Sequence, residues 1–489
     1  MSKFLDTITP DRSSTSTQAR RPLDGLRANH WLMLPVLLTG IFLIVLDFFI
    51  VNVALPSMQT ELHASASAIE WVVAGYGLTF AVLLLAAGRF GDRWGRKRLF
   101  ILGVALFTLT STACGIAPNA TTLVVARLAQ GAAGALISPA VLAIIGVVYT
   151  GAERARAISA YATVMGLAAV SDQLIGGLLV SADVAGLGWR AVFLINLPIG
   201  VAALALAPRL LPESREDNPA RIDVSSLVLT TGGLTALVLP LLEGRQQGWP
   251  VWTWVSLGAA PLLIAEFVLR QRALLRRSQA PLLDLRLFRS RSFSVGLLAQ
   301  VVLFSAQASY FLVLALFLQQ GRGLSALKAG LVFTIVAVTY LLASAKAPTL
   351  AARWGRLVVT AGAVLLAAGH LELMLATMEV GVGGSVFTLA PGLLLAGAGM
   401  GLCITALTTT VLSSADPQQA GAVSGALSTA QQVGNTVGVG VVGLVFFGAL
   451  GGGYAYAFEL SLEVLAGLLG MLAVLTIFLP RDHSAALSR

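Results

Sequence analysis

Fourteen long apolar stretches alternate with short polar segments along this chain, and nothing else constrains its fold as much. A helix needs about 20 mostly apolar residues to cross a bilayer. The stretches fall near 31–55, 69–87, 99–117, 121–147, 157–182, 191–211, 224–242, 250–270, 293–318, 327–350, 357–378, 385–411, 421–447 and 457–480. Every gap between them carries charge, Pro, Gly or Asn. Hydrophobic residues make up 57% of the chain and charged residues 11%, against roughly 25% charged in a soluble protein. The expected fold class is an all-α polytopic membrane protein.

A net charge of +9 would suggest a nucleic-acid partner in a soluble protein. The placement of the charges argues otherwise. An even number of spans puts both termini on one side. With the N-terminus inside, only Arg190, Arg245, Arg322 and Lys328 fall outside. Arg127 and Lys346 lie within spans, and the other Lys and Arg sit in inner segments or at their edges. This is the positive-inside pattern, so the expectation is cytosolic termini and no nucleic acid. Residues 1–30 are polar and lack an h-region, so the first span is expected to stay as an uncleaved helix. Cys114 and Cys403 both lie in apolar spans, which offers neither a disulfide framework nor metal-ligand spacing. No GxxxxGK[ST] occurs, which argues against an ATP-hydrolysing chain. Arg outnumbers Lys 28 to 4, a bias of GC-rich bacterial genomes. The expected location is therefore a bacterial inner (plasma) membrane.

An internal echo divides the chain. Arg93-Trp94-Gly95-Arg96 follows the second span, and Arg353-Trp354-Gly355-Arg356 follows the tenth. Transporters commonly contain two related halves. The expected plan is a cytosolic tail at 1–30, a six-helix bundle at 31–211 and an inserted pair at 224–270. A basic linker at 271–292, a second six-helix bundle at 293–480 and a tail at 481–489 complete it. The linker mixes Leu282, Leu283, Leu285, Leu287 and Phe288 with arginines. It reads as a basic tether rather than an amphipathic segment on anionic lipid.

The loop after the second span reads Gly88-Arg89-Phe90-Gly91-Asp92-Arg93-Trp94-Gly95-Arg96-Lys97-Arg98. It resembles the signature of the major facilitator superfamily of secondary transporters. Gly88, Gly91 and Gly95 permit tight turning. Asp92 among Arg93, Arg96 and their basic neighbours suits an ion-pair latch that holds one state of a rocking transporter; a loop that only sets topology is the alternative. In the second copy Ala352 replaces the acid, so any such latch is asymmetric. Other stretches resemble the 14-helix drug:proton antiporter branch of that superfamily. They are Leu46-Asp47-Phe48-Phe49-Ile50-Val51-Asn52-Val53-Ala54-Leu55-Pro56, Arg127 with Gln130, Gly131 and Gly134, the Trp189–Gly200 segment with Asn196, and Gln431-Gln432 with Gly434-Asn435. The resemblance implies two six-helix bundles plus two inserted helices. It also implies export of drugs, antibiotics or secondary metabolites by a monomer, energised by the proton gradient without a cofactor. One departure stands out: Asp172-Gln173 precedes Gly176-Gly177 where the branch carries Gly-Pro. That puts the usual bend of the fifth helix and its close contact with the other bundle in doubt.

Charged groups at membrane depth are rare and mark ion or substrate paths. Counted along their helices, Asp47 and Arg127 lie about 12 and 9 Å below the outer boundary, and the resemblance places both helices at the cavity. They are expected to interact, with Asp47 the proton-responsive acid and Arg127 tuning it; a permanent structural pair is the alternative. Asp172 lies at similar depth and suits a cationic substrate, a second proton, or a neutral acid bonded near Gln173. Gln307, Tyr310, Gln319, Gln431, Gln432 and Asn435 are candidate hydrogen-bonding groups for substrate in the second bundle, joined by Asp47 and Asp172. Glu266 is expected to pair with Arg270 one turn later, Lys346 to snorkel, and His370 and Glu372 to play a supporting role. Glu243 is expected in the loop of the inserted pair. The leading reading is proton-coupled efflux of amphipathic small molecules by alternating access, with membrane lipid as surroundings. An uptake symporter or lipid exporter of the same fold, or a sensor that does not transport, remains open at this point.

Overall fold

A computed structural model of the chain describes residues 30–215, 223–277, 279, 281–413 and 420–479. The expected terminal tails, apart from His30, lie outside the described residues, as does most of the link after residue 215. Among the described residues there is helix and no strand. The first six helices are α1 (His30–Glu61), α2 (Ala66–Trp94), α3 (Arg96–Gly115), α4 (Ala120–Val148), α5 (Gly151–Ala182) and α6 (Gly188–Leu210). Then come α7 (Val224–Glu243) and α8 (Val251–Arg276). The last six are α9 (Arg291–Leu316), α10 (Ala326–Trp354), α11 (Leu357–Val380), α12 (Ala390–Ser413), α13 (Ala420–Ala449) and α14 (Tyr454–Ile477). Thirteen are long and apolar enough to cross a bilayer as they stand. The fourteenth is α5, whose arms Arg156–Ala168 and Ser171–Ala182 bend by 42°.

Burial sorts the helices. Apolar on every side, α1 is buried on every side, from Leu37 and Leu43 to Ile50, Val53 and Leu55; a helix of that kind belongs at a centre. The opposite case is α8, where Val251, Trp254, Val255 and Leu262 are each more than 60% exposed. That much bare apolar surface fits lipid rather than water. In the first set α2 and α3 pack on α4, while α1 packs on α5 and α6. In the second, α9 packs on α13, and α12 lies against both α10 and α11. The two sets meet along α5–α10 and α2–α13, and α7 and α8 pack together beside α2 and α13.

The departure in α5 costs it neither its bend nor its contact. A Cβ at Gly177 would lie 2.6 Å from the Ala326 carbonyl oxygen of α10, and one at Gly330 of α10 would lie 2.5 Å from the Gln173 carbonyl oxygen. Glycine on both sides lets the backbones touch, and Gly-Pro is not required.

The repeated Arg-Trp-Gly-Arg breaks the helix at a positive-φ glycine in both copies. Gly95 (φ +106°) separates α2 from α3, and Gly355 (φ +54°) separates α10 from α11. Both tryptophans are 53% exposed. The Arg96 amide donates to the Ser214 carbonyl just beyond α6. The Arg356 guanidinium donates to the Ile477 and Leu479 carbonyls at the end of α14. Each copy thus ties its loop to the last helix of its own half.

Three further expectations meet the structure here. Arg270 pairs with Asp223 at the start of the partner helix, its Nε and Nη2 each 2.6 Å from a carboxylate oxygen, and Glu266 acts on it only through space. Lys346 is exposed. The 271–292 link is docked: Gln271 Oε1 accepts from the Leu282 and Leu283 amides at 2.8 and 3.3 Å. Leu287 is buried with Phe293, Val411 and Leu427, and Arg89 donates to the Pro281 carbonyl at 2.7 Å.

Candidate functional site

Glycines bring the elements of the site together. On α4, a Cβ at Gly131 would lie 2.2 Å from the Tyr76 carbonyl oxygen, so α4 can rest directly on α2. Thr79 Oγ1 ties the same crossing to the Leu128 carbonyl at 2.7 Å. That approach carries Arg127, one turn earlier on α4, into the centre of the first bundle. On the other side, Gly200 lets α6 settle against Thr108 of α3, which brings Asn196 to the same place.

Asp47 of α1 lies at the middle of this arrangement, wholly buried, as is Arg127. Arg127 Nη1 donates to Asp47 Oδ2 at 2.5 Å and to Gln130 Oε1 at 2.8 Å. Its Nε donates to the Val72 carbonyl at 2.9 Å. Asp47 Oδ1 accepts from Gln130 Nε2 at 2.9 Å and from Asn196 Nδ2 at 2.7 Å. Asn196 also donates to Ser111 Oγ at 2.9 Å, and Ser111 Oγ donates to the Phe193 carbonyl at the same distance. The guanidinium lies over the Tyr76 ring, 4.4 Å from its centroid. Five helices therefore converge on one carboxylate and its cation. Burying a charge demands this degree of pairing. Arg127 Nη2, Asn196 Oδ1 and Tyr76 Oη have no hydrogen-bond partner among the described residues.

The depth match between Asp47 and Arg127 thus corresponds to direct contact. Spacing alone could not foretell that Gln130, Asn196, Ser111 and Tyr76 join them. Gln130 and Asn196 stood out as motif members; Ser111 and Tyr76 carried no signal.

Asp172 is buried in α5 away from that cluster. Its Oδ1 accepts from the Gln173 amide at 2.5 Å, while Oδ2 has no partner among the described residues. Gln173 Nε2 reaches the Phe49 carbonyl of α1 at 2.8 Å. In the second bundle, Gln431 Nε2 donates to Gln300 Oε1 at 3.3 Å, and Gln300 passes the chain to Thr408 at 3.0 Å. Asn435 donates to Gln432 Oε1 at 2.8 Å. Gln307 is nearly buried, with Oε1 unpartnered among the described residues. Tyr310 turns to the back of its bundle, its ring 4.6 Å from the buried His370 ring of α11. Phe311 is the residue that meets α1, edge-on to Phe49 at 5.6 Å.

In the signature loop, Asp92 pairs with Arg96 at 2.9 Å, four residues on. Gly88 has open space where a Cβ would stand, and Gly91 lies near Leu99. A Cβ at Gly95 would meet the Glu213 carboxylate at 2.4 Å. Glu213 also accepts from the Lys97 amide. Arg93 is exposed.

The two bundles touch unevenly along their length. Near the Glu61 end, Gln319 donates to the Val53 carbonyl at 2.9 Å and Gln320 to Gln59 at 2.8 Å. The Leu327 amide donates to Ser181 Oγ at 3.0 Å, and Gly443 lies against Glu70. At the Arg89 end, Gly88 of α2 and Gly425 of α13 face open space. The hydrogen bonds close the seam at the Glu61 end.

Comparison with known proteins fits this architecture. Residues 37–439 match the Major Facilitator Superfamily. A Streptomyces coelicolor protein named "Probable actinorhodin transporter" is 39% identical over 90% of this chain and 78% of its own. The "Tetracenomycin C resistance and export protein" of Streptomyces glaucescens is 33% identical over 91% of this chain and 81% of its own. A solved POT family transporter in complex with a thioalcohol-conjugated peptide superposes with a TM-score of 0.68 at 16% identity. That superposition covers 92% of this chain and 97% of the other.

Proposed function

The chain belongs to the major facilitator superfamily, and from that premise we propose that it exports amphipathic small molecules in exchange for protons. The relatives named for actinorhodin transport and for tetracenomycin C resistance and export support antibiotic or secondary-metabolite cargo and outward direction. The orientation is N- and C-termini cytosolic in a bacterial inner membrane, so the closed Glu61 end faces out. Residues 31–211 and 293–480 rock as two six-helix bundles in a monomer, with the pair 224–270 beside them.

The observation that carries the coupling is the sealed Asp47–Arg127 pair with its Gln130 and Asn196 donors. It joins α1 to α4 inside the first bundle, so its protonation state bears on how that bundle packs. Protonating Asp47 removes one charge and leaves Arg127 unbalanced in apolar surroundings, so protonation and helix packing bias each other. Asp172, with no ion pair among the described residues, is a secondary acid for cationic cargo. Gln307, Gln431 and Asn435 supply hydrogen bonds from the second bundle, and Tyr310 supports them from behind. The Asp92–Arg96 pair and the glycines Gly88, Gly91 and Gly95, with Arg93, shape the inner gate.

The test is substrate-driven proton movement in proteoliposomes, comparing the parent with Asp47→Asn on cationic and neutral amphiphiles. Movement that needs both substrate and Asp47 is expected. Full coupling in Asp47→Asn would remove the acid from this role. Substrate transport without proton movement in the parent would overturn antiport itself.

A further inference from the structure

Glu70 is the acid that the Asp47 machinery does not use. It sits in the first turns of α2, 1% exposed, on the seam between the bundles. Its Oε2 is buried without a hydrogen-bond partner among the described residues. Across the seam, α13 accommodates it by having no side chain at Gly443: a Cβ there would lie 2.9 Å from Glu70 Cδ and 3.0 Å from Oε1. The carboxyl is thus capped by backbone of the opposite bundle.

Its charged surroundings are few. No residue of α13 is titratable. From the end of α7 and the following loop, Glu243 and Arg245 act on it electrostatically. Both have other engagements: Glu243 accepts from the Trp71 indole at 2.7 Å, and Arg245 lies over the Phe447 ring. On α4, Arg127 is turned inward to Asp47 and to the Val72 carbonyl. His63, in the α1–α2 connection, is exposed. A carboxylate held here would be a buried charge with neither a hydrogen bond nor a contacting cation among the described residues, an arrangement that proteins avoid.

We propose that Glu70 is a proton-binding site of the outer seam, protonated while α2 and α13 are closed and exchanging its proton with the outer solution when they part. On opening, the carboxylic O–H bond breaks and water takes the proton; on closing, the carboxylate takes one back from the same side. The proton therefore returns to where it came from. It adds no charge to the transport cycle, in contrast to the coupling proton assigned to Asp47. Acid outside favours closure, and alkaline conditions favour opening. This assignment rests on the alternating-access reading given above.

The test uses the full chain in lipid nanodiscs with spin labels at Thr121→Cys and Gly451→Cys, exposed positions flanking the seam. The two natural cysteines are buried. In the parent, the short-distance population should grow as pH falls. In Glu70→Gln, which is neutral at every pH, that population should stay high and lose its pH response. Glu70→Met serves as a second neutral variant if Gln impairs folding, and should behave alike. A parental pH response retained in the neutral variants overturns the site. Proteoliposome measurements on Glu70→Gln should give the same proton-to-substrate ratio as the parent; a lowered ratio would move Glu70 into the coupling path and overturn the same-side exchange. Absent proton movement in the parent bears on antiport alone, since the distance response is read without a gradient.

Discussion

Gly177 of α5 and Ala326 of α10 stand backbone to backbone, with a Cβ on the glycine falling 2.6 Å from the alanine carbonyl oxygen. Contact this close seals the Glu61 end of one seam, and any side chain must part the helices. Overpacking typically costs about 1–3 kcal/mol. If the cost falls on the closed state alone, it shifts the equilibrium toward opening at that end by roughly 5- to 150-fold. Gly177→Leu should therefore lengthen the distance between labels at Val184→Cys and Lys328→Cys and slow transport. Unchanged distances would mean that the contact is incidental to closure.

The buried Asp47–Arg127 pair allows its structural and functional roles to be separated. Removing one partner of such a pair costs about 3–5 kcal/mol, whereas apolar replacement of both is often neutral. Arg127→Met should lower thermal stability sharply, and the double variant Asp47→Leu/Arg127→Met should regain most of it. Export should remain absent in both. A double variant that exports with proton coupling would reduce the pair to an orienting contact between α1 and α4.

The inserted pair is attached to the first bundle by a specific bond. Trp71 Nε1 donates to Glu243 Oε1 at 2.7 Å, and Ser67 meets Gln246 at 3.0 Å. A hydrogen bond to a charged group contributes about 1.5–3 kcal/mol. Glu243→Ala should raise the open population of the 244–249 loop roughly tenfold or more. Limited proteolysis of that loop reads the change, and a cleavage rate equal to the parent's would show that α7 and α8 are held by other contacts.

The helices were legible in the residues because bilayer thickness fixes span length, and hydropathy counts that length directly. Asp47 and Arg127 were legible for a related reason: rise per residue converts chain position into depth. Helical rotation is not recoverable in this way. Tyr310 and Phe311 are neighbours, yet one faces His370 and the other Phe49. Glu70 escaped notice because an acid in the first turn of a span reads as a helix end, and only the packing of Gly443 reveals that it is enclosed. The close contact of α5 with α10 survived the loss of Gly-Pro because Gly177 and Gly330 provide the approach from opposite sides. Pair choice failed for Glu266, since the (i, i+4) rule sees one helix and Asp223 belongs to another.

That Asp223–Arg270 clamp carries a pH signature of its own. Two hydrogen bonds from the guanidinium hold the Asp223 carboxyl down, from an ordinary 3.8 to about 2, with Ser226 assisting. The group's folded value is depressed, so its stabilisation is fully present above pH 3.8 and is lost as pH falls through about 2. Arg270 stays charged throughout. With Arg270 38% and Asp223 16% exposed, solvent screens the pair and the effect on melting is modest. Thermal unfolding followed across that acid window should show a decline in the parent that flattens in Asp223→Asn. Above the window the two proteins should differ by a constant offset, because the variant lacks the clamp at every pH. Equal slopes in the acid window would show that other carboxylates govern the acid limb and that the bidentate contact adds nothing to the fold.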